Sequence, residues 1–190
     1  LGVIPKGWRS GNLEDIATVV MGLSPAGDSY NTEGLVIPLI NGPVEFGDYF
    51  PVKTKWTTET TRVAESGDLI FCVRGSTTGR RVIADDSYCI GRGVCAIRAK
   101  GEARMFLYQT INSSIEELLT RTTGSVFPSL SAPDIKNFPV PVPPWNLIEW
   151  FQELTKPILL VIEANIKQSV TITSIRDNLL PKLMRGGVEV

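Results

Sequence analysis

The last fifth of this chain constrains its fold most. From Pro144 to Met184, residues recur at alternating spacings of four and three. Leu147, Leu154, Val161, Gln168 and Ile175 take one seam position of a heptad, and Phe151, Ile158, Asn165, Ile172 and Leu179 take the other. A helix over that span is roughly 60 Å long at 1.5 Å per residue, longer than a domain of this size is wide. Such a helix needs a partner beyond its own globule. The seam is apolar except near its middle, where Asn165 and Gln168 fall. Buried polar residues at such positions fix register and orientation. In an antiparallel pair of identical helices the midpoints meet at the twofold axis, which puts both residues near their symmetry mates.

The 190 residues hold one ordinary domain besides this arm, and 43% apolar with 8% aromatic residues is enough for a core. No apolar run approaches the roughly 18 residues of a membrane span, and Leu1-Gly2-Val3-Ile4-Pro5-Lys6-Gly7-Trp8 lacks the charged and apolar regions of a signal peptide. The expectation is a soluble, intracellular chain with no membrane contact. Leu1 in place of a start methionine fits a fragment or a processed chain. Cys72, Cys89 and Cys95 are odd in number and lack metal-ligand spacing, which predicts buried, reduced thiols.

A net charge of −1 conceals an asymmetry. Residues 71–104 carry seven Lys/Arg against three Asp/Glu, net +4, and six of the seven are Arg. Arginine forks onto phosphates and guanine edges. The bland reading is a set of solvated charges on strand edges.

Along the chain, Asn12–Ala17 opens a short helix or strand, and Gly22–Gly27 is a loop by composition. Leu35–Ile40 reads as a buried strand leaving into Asn41-Gly42-Pro43. Leu69–Val73, Val82–Ala84, Tyr88–Ile90 and Val94–Arg98 read as further strands between Gly or Asp turns. From Met105 to Thr120 the period changes to three and four, which predicts one amphipathic helix. Ser131 and Asp134 fit a capping box before the strand Phe138–Val142. The predicted class is α+β: a globular domain, residues 1–143, of mainly antiparallel β-sheet with flanking helices, followed over 144–190 by one long C-terminal coiled-coil helix.

The chain has no histidine, which removes Ser-His-Asp triads, Cys-His pairs and the usual zinc sites together. Gly75-Ser76-Thr77-Thr78-Gly79-Arg80 lacks the Gly-Lys-Ser/Thr ending of a phosphate loop. No metal site or catalytic constellation is expected. What stands out is a strand running into a donor-rich hairpin loop, Phe71 to Arg81, echoed by Gly91-Arg92-Gly93. Glycine lets the backbone approach a sugar-phosphate, Ser and Thr hydroxyls bind phosphate oxygens, and Arg adds charge or a bidentate base contact. An ordinary hairpin turn favours the same residues.

The ordered series Ile4-Pro5-x-Gly7-Trp8, Gly22-x-Ser24-Pro25, Ile37-Pro38-Leu39-Ile40-Asn41-Gly42, Gly67-Asp68-Leu69-Ile70, Arg74-Gly75-Ser76-x-x-Gly79 and Gly124-Ser125-x-Phe127-Pro128 spans the globule. It continues through Leu130-Ser131-x-x-Asp134-Ile135 and Pro139-Val140-Pro141-x-Pro143-Pro144, and ends in Leu179-Leu180-Pro181-Lys182-Leu183-Met184. The series resembles the specificity subunits of type I restriction-modification enzymes, over essentially the whole chain. Those subunits carry two target-recognition domains, each followed by a conserved helix, and the two helices pair antiparallel. This chain resembles half of one. There are two departures: Pro157 falls inside the helical pattern, where it predicts a kink or a restarted turn, and the usual Gln-x-x-Ile is here Phe151-Gln152-Glu153-Leu154.

The resemblance implies a non-catalytic chain in the cytoplasm of a prokaryote that reads one part of a bipartite site on double-stranded DNA. It would dock methyltransferase subunits and, through them, the restriction subunit. No cofactor is expected in this chain; S-adenosylmethionine, ATP and Mg belong to the partner subunits. The candidate DNA contacts are Arg74, Gly75, Ser76, Thr77, Thr78, Arg80 and Arg92, with Ser24, Asn41, Lys53 and Lys55 from neighbouring loops. The candidate pairing residues for a second copy or second half are Phe151, Leu154, Ile158, Val161, Asn165, Gln168, Ile172, Ile175 and Leu179. The competing reading is a non-enzymatic coiled-coil scaffold whose globule binds protein.

Overall fold

A computed structural model describes residues 4–123 and 128–185. The Gly124-Ser125-x-Phe127 part of the motif series and Gly186-Gly187 lie outside the described residues. The elements run β1 (Arg9–Asn12), α1 (Leu13–Ile16), β2 (Ala17–Met21), β3 (Tyr30–Asn31), β4 (Ile37–Ile40), β5 (Trp56–Thr57), β6 (Val63–Ala64), β7 (Leu69–Cys72) and β8 (Arg81–Ile83). They continue through β9 (Tyr88–Ile90), β10 (Val94–Ala99), α2 (Arg104–Ser113), α3 (Ile115–Leu119), α4 (Ala132–Lys136), β11 (Pro139–Val142) and α5 (Trp145–Met184).

The layering follows from one sequence pattern. Leu69-Ile70-Phe71-Cys72 and Val94-Cys95-Ala96-Ile97 are unbroken apolar runs, as strands covered on both faces require. Successive side chains alternate faces. Leu69, Phe71, Val73, Cys95 and Ile97 therefore pack on one side with Leu13, Ile16, Leu107, Ile111, Ile135 and Ile148. On the other side Ile70, Cys72, Val94 and Ala96 pack with Ile40, Ala64, Tyr88 and Ile90. The result is a four-stranded sheet, β2-β10-β7-β8, between a layer of helices and a five-stranded sheet, β3-β5-β4-β9-β6. Pairing is antiparallel except where β4 and β9 run parallel, Leu39 opposite Cys89. A small ribbon joins β1 to β11 near the two ends of the globule's sequence.

Three expectations need correction. The strand expected from Leu35 begins at Ile37, because Gly34 and Val36 take φ values of +83° and +69° and turn the chain, leaving Leu35 and Val36 exposed. The single helix expected over Met105–Thr120 is two, broken at Ser114, whose ψ of 11° leaves the helical region. Ser113 and Ser114 are weak helix formers, and the break lets Ile115 and Leu119 turn onto Gly79. Third, an 18-residue window of α5 reaches a mean hydropathy of 1.3, enough by length and composition to cross a membrane. A heptad with few charges raises the mean even though the unbroken apolar run over residues 158–162 is short.

Helix α5 stays unbroken through Pro157 rather than restarting there. Pro157 is exposed, so the Glu153 carbonyl that loses its helical donor faces water. The first half of α5 belongs to the globule. Ile148 and Gln152 are buried, and Leu159 packs on the core beneath the helical layer. The heptad seam lies one residue earlier at each turn, about 100° around the helix. Leu154, Ile158 and Val161 accordingly remain more than half exposed, as do Ile172 and Ile175.

Candidate nucleic-acid interface

The β7–β8 hairpin is closed by Cys72 N–H donating to Arg80 O at 2.8 Å and Gly79 N–H donating to Cys72 O at 3.0 Å. Gly75 and Gly79 have φ of +89° and +97°, a region that favours glycine, which explains the Gly-x-x-x-Gly spacing. The loop is buttressed by residues 128–130. Gly75 N–H donates to Pro128 O at 3.0 Å, Leu130 N–H donates to Val73 O at 3.0 Å, and Thr78 Oγ1 lies 3.0 Å from Pro128 O. Thr78 Oγ1 also lies 2.7 Å from Gly75 O, so its hydroxyl holds the turn together. Thr77 is half-buried, 3.6 Å from Cys72 Sγ. Arg74, Ser76 and Arg80 are the loop side chains left exposed.

Backbone bonds bring other loops to the same end. Val73 N–H donates to Gly93 O at 3.0 Å, which sets the 91–93 turn beside the root of the hairpin loop. Gly91 N–H donates to Ile40 O at 2.8 Å, and Ser24 Oγ accepts the Arg92 N–H at 3.1 Å. A Cβ on Gly91 would fall 1.9 Å from Asn41 Oδ1, and one on Gly93 would fall 2.2 Å from Asn41 O. Four loops thus converge, carrying Ser24, Asn41, Arg74 to Arg80, and Arg92. Asn41 Oδ1 is buried and has no hydrogen-bond partner among the described residues.

Sequence reasoning missed Arg62. Ile90 N–H donates to Arg62 O at 2.8 Å, and the preceding Thr61 hydroxyl donates to Leu23 O, so Arg62 enters the same end of the fold as an exposed cation. Arg62 sits in no Gly-Arg motif; its place is set by β6 pairing with β9, 26 residues on. Lys53, by contrast, is drawn away. Its ammonium bonds Asp86 at 2.7 Å and lies 5.8 Å from the centre of the Tyr88 ring. Lys55 is exposed alongside β4, where its carbonyl accepts the Leu39 N–H.

Two other cations of the basic stretch are engaged within the fold. Arg98 is held by Asp68, at 2.8 Å, and by Glu65, at 2.9 Å, and the Asp68 hydrogen bonds keep its guanidinium above the ordinary arginine range. Lys100 donates to Glu14 O. Arg62, Arg74, Arg80 and Arg92 make no ion pair among the described residues. Four unpaired arginines therefore stand near the converging loops, while Arg104, also exposed and without an ion pair among the described residues, lies against Gly67 at the other end of β7.

All three cysteines are free and buried, and burial pushes the Cys95 thiol well up from its usual range, so it is a core residue. Among the described residues no group of three potential metal-ligating side chains comes together. At the root of α5 an apolar pocket of about 460 Å³ opens between Trp8, Phe106, Leu147, Trp150 and Phe151.

The family model of the type I restriction modification DNA specificity domain matches residues 5–170. The type I restriction enzyme MjaIX specificity subunit of Methanocaldococcus jannaschii is 26% identical over 197 residues, covering 98% of this chain and 46% of the relative. Among solved structures, the HsdS subunit from Thermoanaerobacter tengcongensis superposes with a TM-score of 0.68 at 27% identity, covering 98% of this chain and 47% of that one. A chain from a structural study of complex assembly and conformational transition of the type I R-M system gives 0.69 at 26% identity, covering 98% and 48%. The chain spans a little under half the length of these relatives.

Proposed function

We propose, for a chain that belongs to the family of type I restriction modification DNA specificity domains, that the globule reads one part of a bipartite site on double-stranded DNA and that α5 spaces it from a second reader. The observation that carries this reading is the convergence of four loops, with the segment entering β6 beside them, that leaves Arg62, Arg74 and Arg92 exposed and without ion pairs among the described residues. Phosphate contacts by such side chains supply affinity, and contacts to base edges supply sequence preference. The scaffold alternative is not favoured, because the family match covers the globule as well as most of the helix.

In this reading the chain is not catalytic. Methyltransferase subunits dock on it, the restriction subunit joins through them, and S-adenosylmethionine, ATP and Mg are bound by those partners. The exposed seam of α5 receives the matching helix of a second copy or second half, and the apolar pocket at its root is available to a partner subunit. Its place of work is the prokaryotic cytoplasm.

The test is selection of duplexes from a random-sequence pool by the full chain, followed by binding at several salt concentrations. Enrichment of a short motif, with affinity falling steeply as salt rises, is the expected result. Arg74→Ala and Arg92→Ala should each weaken binding to the selected duplex. Absence of any enriched motif, or binding insensitive to salt, would overturn the reading.

A further inference from the structure

Arg81 is half-buried, yet among the described residues it meets no carboxylate. Its Nε donates to Asn112 Oδ1 and its Nη1 donates to Gly79 O at 2.9 Å, both neutral acceptors. These two bonds fix the plane of the guanidinium and leave the rest of its five donors unassigned. Arg81 also lines a pocket of about 360 Å³ together with Gly47, Asp48, Arg80, Tyr108 and Asn112. Buried charges are ordinarily paired, because desolvation is repaid only by a counter-charge or a full set of hydrogen bonds. Here burial pulls the Arg81 guanidinium below its ordinary range. An arriving anion would reverse that effect.

The lining suits an oxyanion. Arg80 brings a second guanidinium, exposed and making no ion pair among the described residues, and Tyr108 and Asn112 bring neutral donors. Asp48 is the opposing charge, and two arginines against one aspartate leave the pocket positive. Its place in the fold says what can reach it. Cys72 N–H donates to Arg80 O at 2.8 Å, so the pocket opens at the root of the β7–β8 hairpin whose tip carries Arg74 and Ser76. We propose that Arg80 and Arg81, with Tyr108 and Asn112, form a seat for a phosphate oxyanion, occupied by one backbone phosphate of the duplex that the hairpin loop engages. This rests on the DNA-reading assignment and adds to it a sequence-independent anchor.

The experiment compares the full wild-type chain with Arg80→Gln and Arg81→Lys, the second keeping the charge but losing the rigid fork. Each is titrated with a mixed-sequence duplex at several salt concentrations. Each variant should bind roughly tenfold more weakly on every sequence alike, and Arg80→Gln should also lower the salt slope by about one phosphate. Arg80→Gln removes an exposed side chain with no internal hydrogen bond among the described residues, so it keeps the test valid should Arg81→Lys misfold. In parallel, inorganic phosphate is titrated while the Arg81 Nε–H signal is followed by NMR, with a saturable shift expected. A wild-type chain that binds duplex while both variants match its affinity and slope would overturn the seat and leave the DNA reading standing. A wild-type chain that binds no duplex but shifts with phosphate would overturn the duplex as occupant and assign the seat to free phosphate. No phosphate shift and no duplex effect would overturn both.

Discussion

The buried side-chain carbonyl of Gln152 accepts the backbone N–H of Met105 at 2.9 Å, tying the root of the 40-residue helix to the first turn of α2. The first N–H groups of a helix have no partner within it, and α2 has no side-chain cap at Ala103. Gln152 stands in for that cap from 47 residues away. Gln152→Leu keeps the volume and strands the donor in the core, which should cost about 1–3 kcal/mol in urea unfolding. Gln152→Glu keeps an acceptor and should cost less at acid pH, where the buried carboxyl is uncharged. Equal losses for the two would mean that the hydrogen bond contributes nothing beyond packing.

What was legible in the sequence was local or periodic. Apolar runs marked the doubly covered strands, the heptad marked α5, and the Ser131–Asp134 spacing marked a cap. Features set by distant contacts were not legible. Gln152 registered only as a departure from a family motif, and Arg62 carried no motif at all. Lys53 looked available until the fold placed Asp86 beside it. Of the candidate contacts, Ser24, Asn41, Arg74 and Arg92 meet at one end of the molecule, whereas the Thr78 hydroxyl is turned inward to Gly75 and Pro128. A residue's type can announce affinity for phosphate; whether the side chain is already engaged depends on tertiary structure.

Gly91 and Gly93 offer a sharper test of how the converging loops are locked. A methyl at Gly91 collides with the side chain of Asn41, whereas one at Gly93 collides with the Asn41 main chain. Both alanine variants should lose about 1–3 kcal/mol to overpacking. Adding Asn41→Ala should recover much of the loss at Gly91 and none at Gly93. A double-mutant cycle by thermal melting reads the difference, and equal coupling at both positions would contradict the geometry.

Ser131 and Asp134 cap α4 reciprocally: Asp134 Oδ2 accepts the Ser131 N–H at 2.8 Å, and Ser131 Oγ accepts the Asp134 N–H at 3.4 Å. Hydrogen bonds from the Ser131 hydroxyl first, then its backbone, hold the Asp134 carboxyl below the usual aspartate range. A depressed folded-state pKa stabilises the fold above the unfolded value of about 3.9, and that contribution is lost as pH falls through the folded value. Ser131→Ala should therefore cost about 1 kcal/mol near neutrality. The difference from wild type should shrink below pH 4. A deficit that stays constant down to pH 2 would show that the carboxylate is not part of the cap.

Asn165 and Gln168 are exposed on α5 near the middle of the open seam. The globule covers a neighbouring face through Ile148, Gln152 and Leu159, so a second helix can lie along the seam without displacing it. If the pairing is antiparallel, Asn165 lies close to its counterpart, where two amides satisfy each other in one register only. Asn165→Leu should then raise the melting temperature of the assembled pair and permit shifted registers. Cysteine cross-linking along the seam would read this as several cross-linked pairs in place of one. A variant that is less stable and still cross-links in a single register would assign orientation to contacts elsewhere, and the distance between the two globules would not depend on these amides.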